Sequence, residues 1–167
     1  GVGSHNQKKH LNNAFSKGVK FVNVSPLKSD LENTGKAEWI PIKPNTDVAL
    51  ILALCFEINK AGVTNKDFVN KYTVGFERFT EYLYGKEDGV IKNADWASHI
   101  TGISKEIILD LVQKIKKSKK TMLSVSWSLT RQTHGEQPYW AAIALASMIG
   151  DIGKSGGGIG FGYSAMN

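Results

Sequence analysis

Three observations predict an α/β fold. Two short β-branched or apolar runs end in turns, a strongly apolar helix follows the second of them, and a later helix, strand, turn and helix repeat the alternation. The arrangement expected is a three-layer Rossmann-like domain with a mostly parallel sheet flanked by helices, formed as a single domain over residues 1–167. A chain of 167 residues that is 41% hydrophobic has enough apolar material for one core. No apolar run approaches the length of a bilayer span: the longest, Val48 to Ile58, is interrupted by Glu57.

Taken in order, Val19 to Val24 (VKFVNV) reads as a buried strand closed by Ser25 and Pro26. Trp39 to Ile42 is a second apolar stretch ahead of Pro44. Asn45 and Thr46 then offer an N-cap for a helix over Asp47 to Lys60, which Gly62 stops. Shorter helices follow at Lys66 to Tyr72, at Phe76 to Leu83, and at Ala94 to Ile100 behind the cap Asn93. From Ser104 a longer helix sets Ile107, Ile108, Leu111, Val112 and Ile115 on one face, with lysines outside it. Thr121 to Val125 (TMLSV) is another buried-strand candidate. A closing helix near Glu136 to Ile149 is expected to turn Trp140, Ile143, Ala144 and Met148 inward. The tail GKSGGGIGFGY, Gly153 to Tyr163, is expected to be a flexible or tightly turning exit from the fold, a connection to a neighbouring part. It is not a phosphate loop, because it follows a helix and precedes no periodic segment, and Met148 stands where such a loop needs its first glycine.

Several function classes find little support. The net charge is +6, with basic residues at Lys8 and Lys9 and in KIKKSKK, Lys114 to Lys120. That run suits the solvated C-terminal end of a helix, and no aromatic residues interleave with it as in a nucleic-acid surface. Cys55 is the single cysteine, which excludes an internal disulfide and a thiolate cluster. His5, His10, His99 and His134 are scattered without metal-ligand spacing, and no serine elbow marks a hydrolase. The opening GVGSHNQKKH lacks the layout of a secretory signal, which leaves the compartment open.

Sheets of this kind bind ligands beyond the carboxyl ends of their strands. Here those ends are Asn23 to Pro26 and Val125 to Arg131, with the turn Pro44 to Asp47 beside them. Asp47, at a helix start, can accept two parallel N–H bonds such as guanine offers; the plainer reading is an acid that complements the helix dipole. The stretch SWSLTRQTHGEQ gathers Trp127, Arg131 and His134 just past a strand. Arg131 brings a planar fork suited to a diphosphate or a ring carbonyl, Trp127 can stack, and His134 can donate. The plainer alternatives are that Trp127 packs on the core, Arg131 pairs with Glu136, and His134 is an ordinary loop residue. The clustering at a strand end is what favours a site.

WSLTRQTHGEQPYW from Trp127, ALASMIGDIG and GGGIGFGY after it, VNVSP at Val22, PNTD at Pro44, KYTVGFERFTEYLYGKEDGV from Lys71 and WASHITGIS from Trp96 together resemble the DMSO reductase family of molybdopterin oxidoreductases. The likeness is strongest to its trimethylamine N-oxide and biotin sulfoxide reductase branches. It implies one cofactor-binding domain of a catalytic chain several times longer, in which molybdenum bis(molybdopterin guanine dinucleotide) removes oxygen from an N-oxide or S-oxide. The cofactor belongs to the full-length enzyme, and this stretch alone is expected to be inactive and need not retain it. By motif, Asn23, Val24 and Ser25 line one guanosine and Pro44, Asn45 and Asp47 lie near the base. Ser126, Trp127, Thr130, Arg131 and His134 approach the pterin and diphosphate side. Two departures stand out: the family's IDP is Val24, Ser25, Pro26, losing a carboxylate, and the glycine before its Trp is Ser126. The family's molybdenum-ligating serine and substrate aromatics map to no residue here, so no catalytic residue and no metal ligand are assigned. Implied partners are the remaining domains of the chain, the oxide substrate and a cytochrome-type electron donor, with no nucleic acid and no membrane span. The N-oxide branch points to the periplasm and the biotin sulfoxide branch to the cytoplasm. The competing readings are a stand-alone Rossmann-like guanine nucleotide-binding or protein-interaction module and, third, a basic nucleic-acid binder.

Overall fold

A helix that is apolar around its whole circumference has to be surrounded. In the computed structural model, which describes residues 7–28 and 37–161, that helix is α2 (Asp47–Lys60, DVALILALCFEINK). Before it come α1 (Gln7–Ser16) and the strands β1 (Val22–Val24) and β2 (Glu38–Ile40). After it come α3 (Lys66–Tyr72), α4 (Phe76–Leu83), α5 (Ala94–Thr101), α6 (Lys105–Lys117), β3 (Met122–Val125), a 3-10 turn at Trp127–Thr130, α7 (Gln137–Ile149) and β4 (Gly158–Phe161). α2 packs on α4, α5, α6 and α7, and its residues from Leu52 to Ile58 are all buried. Burying each large apolar side chain of that run contributes about 1.5–3 kcal/mol. Cys55 is fully enclosed there, and burial pushes its thiol pKa far up. No helix among the described residues is long and apolar enough to cross a membrane.

Two buried charges have hydrogen-bond partners, as burial of a charge demands. The Glu57 carboxylate of α2 accepts the Ala94 amide at 3.0 Å, while the Asn93 side chain accepts the Trp96 amide at 2.8 Å. Together they satisfy donors that the first turn of α5 leaves open. Lys92 Nζ donates to both Asp88 oxygens and to the Val90 carbonyl, and lies 4.3 Å from the centre of the Tyr82 ring.

All four strands pair in parallel. β1 lies on β2 with Asn23 opposite Trp39, and β3 lies on β4 with Leu123 opposite Ile159. Mixed α/β architecture with parallel pairing is therefore as the sequence predicts. The strands of the described residues form two separate two-stranded sheets and not one, both placed against the same core through Val24, Ile40 and Leu123.

Helix boundaries from α2 to α6 fall close to those expected, with side-chain caps on α3, α5 and α6, but several expected details change. Met122 of β3 is exposed, so TMLSV is a half-buried strand and not a fully buried one. α6 buries Ile108, Leu111 and Val112, whereas Ile107 lies outside that face. In α7 the inward side is Ala141, Ala142, Leu145, Ala146 and Met148, while Trp140 and Ile143 point to solvent. The alanines let α7 approach α2 closely, and the bulky pair is turned out.

Of the two forms expected for the exit at Gly153, the tight turn is found, but it leads into a paired strand and not out of the fold. Asp151 accepts the Thr121 amide at 2.9 Å, the Gly158 amide donates to the Thr121 carbonyl at 3.0 Å, and Lys120 Nζ donates to the Ser155 carbonyl at 2.7 Å. These bonds lay the glycine-rich segment alongside β3 as β4. A Cβ on Gly157 would stand 2.7 Å from that of Asp151, so only glycine permits this approach. Gly162 and Tyr163 of the tail, and His5 near the start, lie outside the described residues. Asp151→Ala is expected to cost about 1–3 kcal/mol in a denaturant titration and to accelerate amide exchange selectively in β3 and β4; unchanged exchange at Thr121 would show that the carboxylate does not hold the pair.

Candidate functional site

Because β1 and β2 are parallel, their carboxyl ends open on one edge. Ser25, buried, donates its amide to Ile40 at 3.2 Å, accepts Trp39 Nε1 on its carbonyl at 2.9 Å, and accepts the Leu27 amide on Oγ at 3.2 Å. The turn after β1 is thus fixed to the neighbouring strand, and Trp39 does much of the fixing. Val24 packs against the core and offers its backbone to that edge. Asn23 Nδ2 is buried and has no hydrogen-bond partner among the described residues. Such a donor costs about 1–3 kcal/mol unless something accepts it, and its presence calls for an explanation.

From the same edge the chain runs through Pro44, Asn45 and Thr46 to Asp47 in the first turn of α2. Pro44 and Asn45 are exposed, and Asn45 sits in the left-handed region at φ 63°. Thr46 holds the cap position, but its hydroxyl turns back to the Lys43 carbonyl at 2.7 Å and caps nothing. Asp47 is half-buried. Desolvation raises its carboxyl above the ordinary range, opposed by a bond from its own backbone amide. Asp47 thus stands partly desolvated at a strand-end turn and in the first turn of α2, a place that suits a ligand contact and a helix-dipole contact alike.

The second group follows β3. Ser126 Oγ accepts the Ser128 amide at 3.3 Å, the Thr130 hydroxyl donates to the Trp127 carbonyl at 2.8 Å, and Gln132 Nε2 donates to the Leu129 carbonyl at 2.8 Å. Tyr139, in the first turn of α7, donates its hydroxyl to the Ser126 carbonyl at 2.9 Å. Gly135 lies so close to Thr130 that a Cβ would fall 2.1 Å from the Thr130 oxygen. The loop is closed on itself, and Trp127, Thr130, Arg131 and His134 are left facing outward. Trp127 does not pack on the core, being 44% exposed. Glu136 has His134 Nδ1 at 3.8 Å, and Arg131 forms no ion pair among the described residues.

The predicted residues therefore form two groups, each at the carboxyl end of a parallel pair. α2 starts at the first group and packs along α7, which starts at the second. The first presents a carboxylate and a free amide donor, the second a guanidinium, an imidazole and an indole face. Three supporting residues escape sequence reasoning: Trp39, Gly135 and Tyr139. Gly135 follows His134, which adopts the left-handed φ of 57° in the fold, and none of the three carries a sequence signal that names its partner. The basic run that begins in the last turn of α6 is in part neutralised, since Lys114 pairs with Glu38 and Asp110.

A sequence model of the family described as "Molybdopterin: Molybdopterin oxidoreductase" matches residues 4–165. The chain is 47% identical to a biotin sulfoxide reductase of Cereibacter sphaeroides over 99% of its own length and 22% of that protein. It is 43% identical to a trimethylamine-N-oxide reductase of Haemophilus influenzae over 90% of its length and 18% of the relative. It is 40% identical to a dimethyl sulfoxide/trimethylamine N-oxide reductase of Rhodobacter capsulatus over 89% and 18%. The chain thus spans about a fifth of the length of the curated relatives it matches. Among solved structures, acetylene hydratase from Pelobacter acetylenicus superimposes with a TM-score of 0.72 at 24% identity, over 88% of this chain and 19% of that one, a likeness of fold alone.

Gly135→Ala is expected to drive the loop off Thr130, seen as loss of the Tyr139-to-Ser126 contact by NMR and about 1–3 kcal/mol of stability; a variant with unaltered loop signals would mean the close approach is not required. Asp47 gives a pH-dependent test. Its folded pKa lies above the unfolded one, so its contribution to stability is complete below the unfolded pKa of about 3.9 and is lost as pH rises through the elevated folded value. D47N should match the parent in acid and exceed it in denaturant midpoint at pH 7; a lower midpoint at pH 7 would show that the helix-start charge outweighs desolvation.

Proposed function

The chain belongs to the molybdopterin oxidoreductase family, and from that premise we propose that it is a cofactor-binding domain of a molybdenum-dependent N-oxide or S-oxide reductase. Its part is to hold a section of a molybdopterin guanine dinucleotide at the carboxyl edge of its strands. The observation that carries this reading is the buried Nδ2 of Asn23, which has no partner among the described residues and stands among the residues assigned by motif to the guanosine. A ligand acceptor at that point would remove a cost the fold otherwise bears.

When bound, the cofactor supplies the oxygen-accepting and electron-storing chemistry, and the protein supplies binding, orientation and electrostatics. Asp47 accepts the paired N–H groups of guanine, and Asn23 donates to an acceptor on the same nucleoside. Pro44 and Asn45 shape the turn that brings the base to Asp47, and Val24 offers backbone. Ser25 replaces a carboxylate of the family pattern, and its Oγ is engaged with the Leu27 amide, so one ribose or base contact is given up. Arg131 and His134 donate to the diphosphate or pterin, with Trp127 as an apolar wall and Thr130 beside it. The serine in place of glycine at 126 does not project into the site, because its hydroxyl is folded back 2.9 Å from that of Ser128.

For the assembled protein we propose the full three-layer, Rossmann-like sheet, in which polypeptide beyond this stretch joins the free edges of the β1–β2 and β3–β4 pairs. Support comes from the shared core beneath both pairs and from the greater length of the relatives. An N-oxide or S-oxide substrate, a cytochrome-type electron donor and a periplasmic setting extend the same reading, with the cytoplasm the setting if the biotin sulfoxide likeness governs.

Calorimetric titration with released molybdopterin guanine dinucleotide and with GDP tests it, on the full-length protein and on the 167-residue chain. Preference for the dinucleotide is expected, weakened about 10- to 100-fold by Asp47→Ala, as for loss of hydrogen bonds to a charged group. Equal affinity for GDP would instead indicate a guanine nucleotide module, and no binding by the full-length protein would sink the proposal. The 167-residue chain by itself should show no oxide reduction; molybdenum-dependent turnover by it would overturn the reading of a partial domain.

A further inference from the structure

The loop between β3 and α7 starts from a carbonyl that carries two hydrogen bonds. The Ser126 oxygen accepts the Leu129 amide at 3.2 Å, the first bond of the 3-10 turn. It also accepts the Tyr139 hydroxyl at 2.9 Å, from 13 residues along the chain. The next bond of the turn runs from the Arg131 amide to the Ser128 carbonyl at 3.0 Å. Arg131 thus takes its backbone position from a turn whose origin is tied to a side chain of α7, a helix packed along α2 in the core. The internal bonds of the loop set its shape, and the Tyr139 bond sets where that shape sits relative to the core. Desolvation raises the Tyr139 phenol pKa, so the hydroxyl remains a donor at neutral pH.

We propose that Tyr139 is a positioning residue for the Arg131 guanidinium, acting through the Ser126 carbonyl. The inference rests on the reading that Arg131 meets the diphosphate or pterin of the cofactor. A planar guanidinium makes its paired bonds only at the right distance and in the right plane. Arg131 is exposed and forms no ion pair among the described residues, so its place is set by its backbone. A ligand that meets a backbone already in place loses less ordering entropy on binding. Removing the Tyr139 hydroxyl leaves the turn's own bonds intact and lets the turn shift as a body, so the loss falls on affinity at Arg131 and not on the core.

The test is a double-mutant cycle in the cofactor-free full-length protein. Tyr139→Phe, Arg131→Ala and the double variant are titrated calorimetrically with released molybdopterin guanine dinucleotide and with guanosine. Tyr139→Phe keeps the ring and is expected to weaken the dinucleotide about three- to tenfold, the worth of one hydrogen bond, with guanosine affinity unchanged. In the Arg131→Ala background the same change should have no further effect, because the two residues act in series. A loss that simply adds to that of Arg131→Ala would make Tyr139 a general structural residue and overturn the proposal. Amide exchange of the peptide spanning Ser126 to Arg131 gives a reading that needs no ligand: Tyr139→Phe should accelerate it while leaving Val22 to Val24 as in the parent, and unchanged exchange would overturn the proposal. Failure of the parent to bind the dinucleotide would remove the cofactor reading and this inference with it. A parent that binds, with Tyr139→Phe binding equally well, would overturn the inference by itself.

Discussion

The fold depends on covering α2 from all sides. An apolar cylinder at the centre of a small domain leaves no freedom for a solvent-facing stripe, so α4, α5, α6 and α7 are all drawn to it. Its few polar atoms then acquire fixed duties. Glu57, unable to reach water, completes the start of α5 through the Ala94 amide, and Asp47, at the only end that meets a strand edge, is held half-desolvated at the surface. One constraint thus sets both a structural contact in the interior and the chemical character of the site at the rim.

The two site groups differ in how they are kept ready. Around β1 and β2 the means are cross-strand: Trp39 and Ile40 hold Ser25 from the neighbouring strand, and the cost is an orphan amide at Asn23. After β3 they are local, a chain of short-range bonds and a glycine pressed against Thr130. In both the backbone is fixed before any ligand arrives, so less ordering entropy is lost on binding. The side chains that would meet a ligand include those without a partner among the described residues, Asn23 at its Nδ2 and Arg131 at its guanidinium.

How far sequence could be read depended on whether the pattern had a direction. Asn93 and Ser104 are caps followed by periodic apolar residues, and the helices behind them begin where those caps put them. α7 had a start but no orientation, because apolar residues surround it and periodicity cannot choose a face; close approach of alanines to α2 decided the matter. β4 lacked any strand signal, since glycines carry no β-propensity; it exists because Asp151 and Thr121 offer bonds and glycine lets the backbones meet. The candidate site was legible by residue type and by position at strand ends. The supports of Trp39 and Tyr139 were not, because each acts on a backbone carbonyl whose position exists only in the folded chain.

Cys55 lies at the centre of α2, sealed from solvent with its thiol held strongly protonated. Neither an oxidant nor a disulfide partner can reach it, and a protonated thiol is a poor nucleophile in exchange. Cys55 is thus closed to oxidation, whereas the thioether of Met122 on β3, 48% exposed, is open to it. The folding of this stretch asks for no disulfide partner and no reducing or oxidising poise.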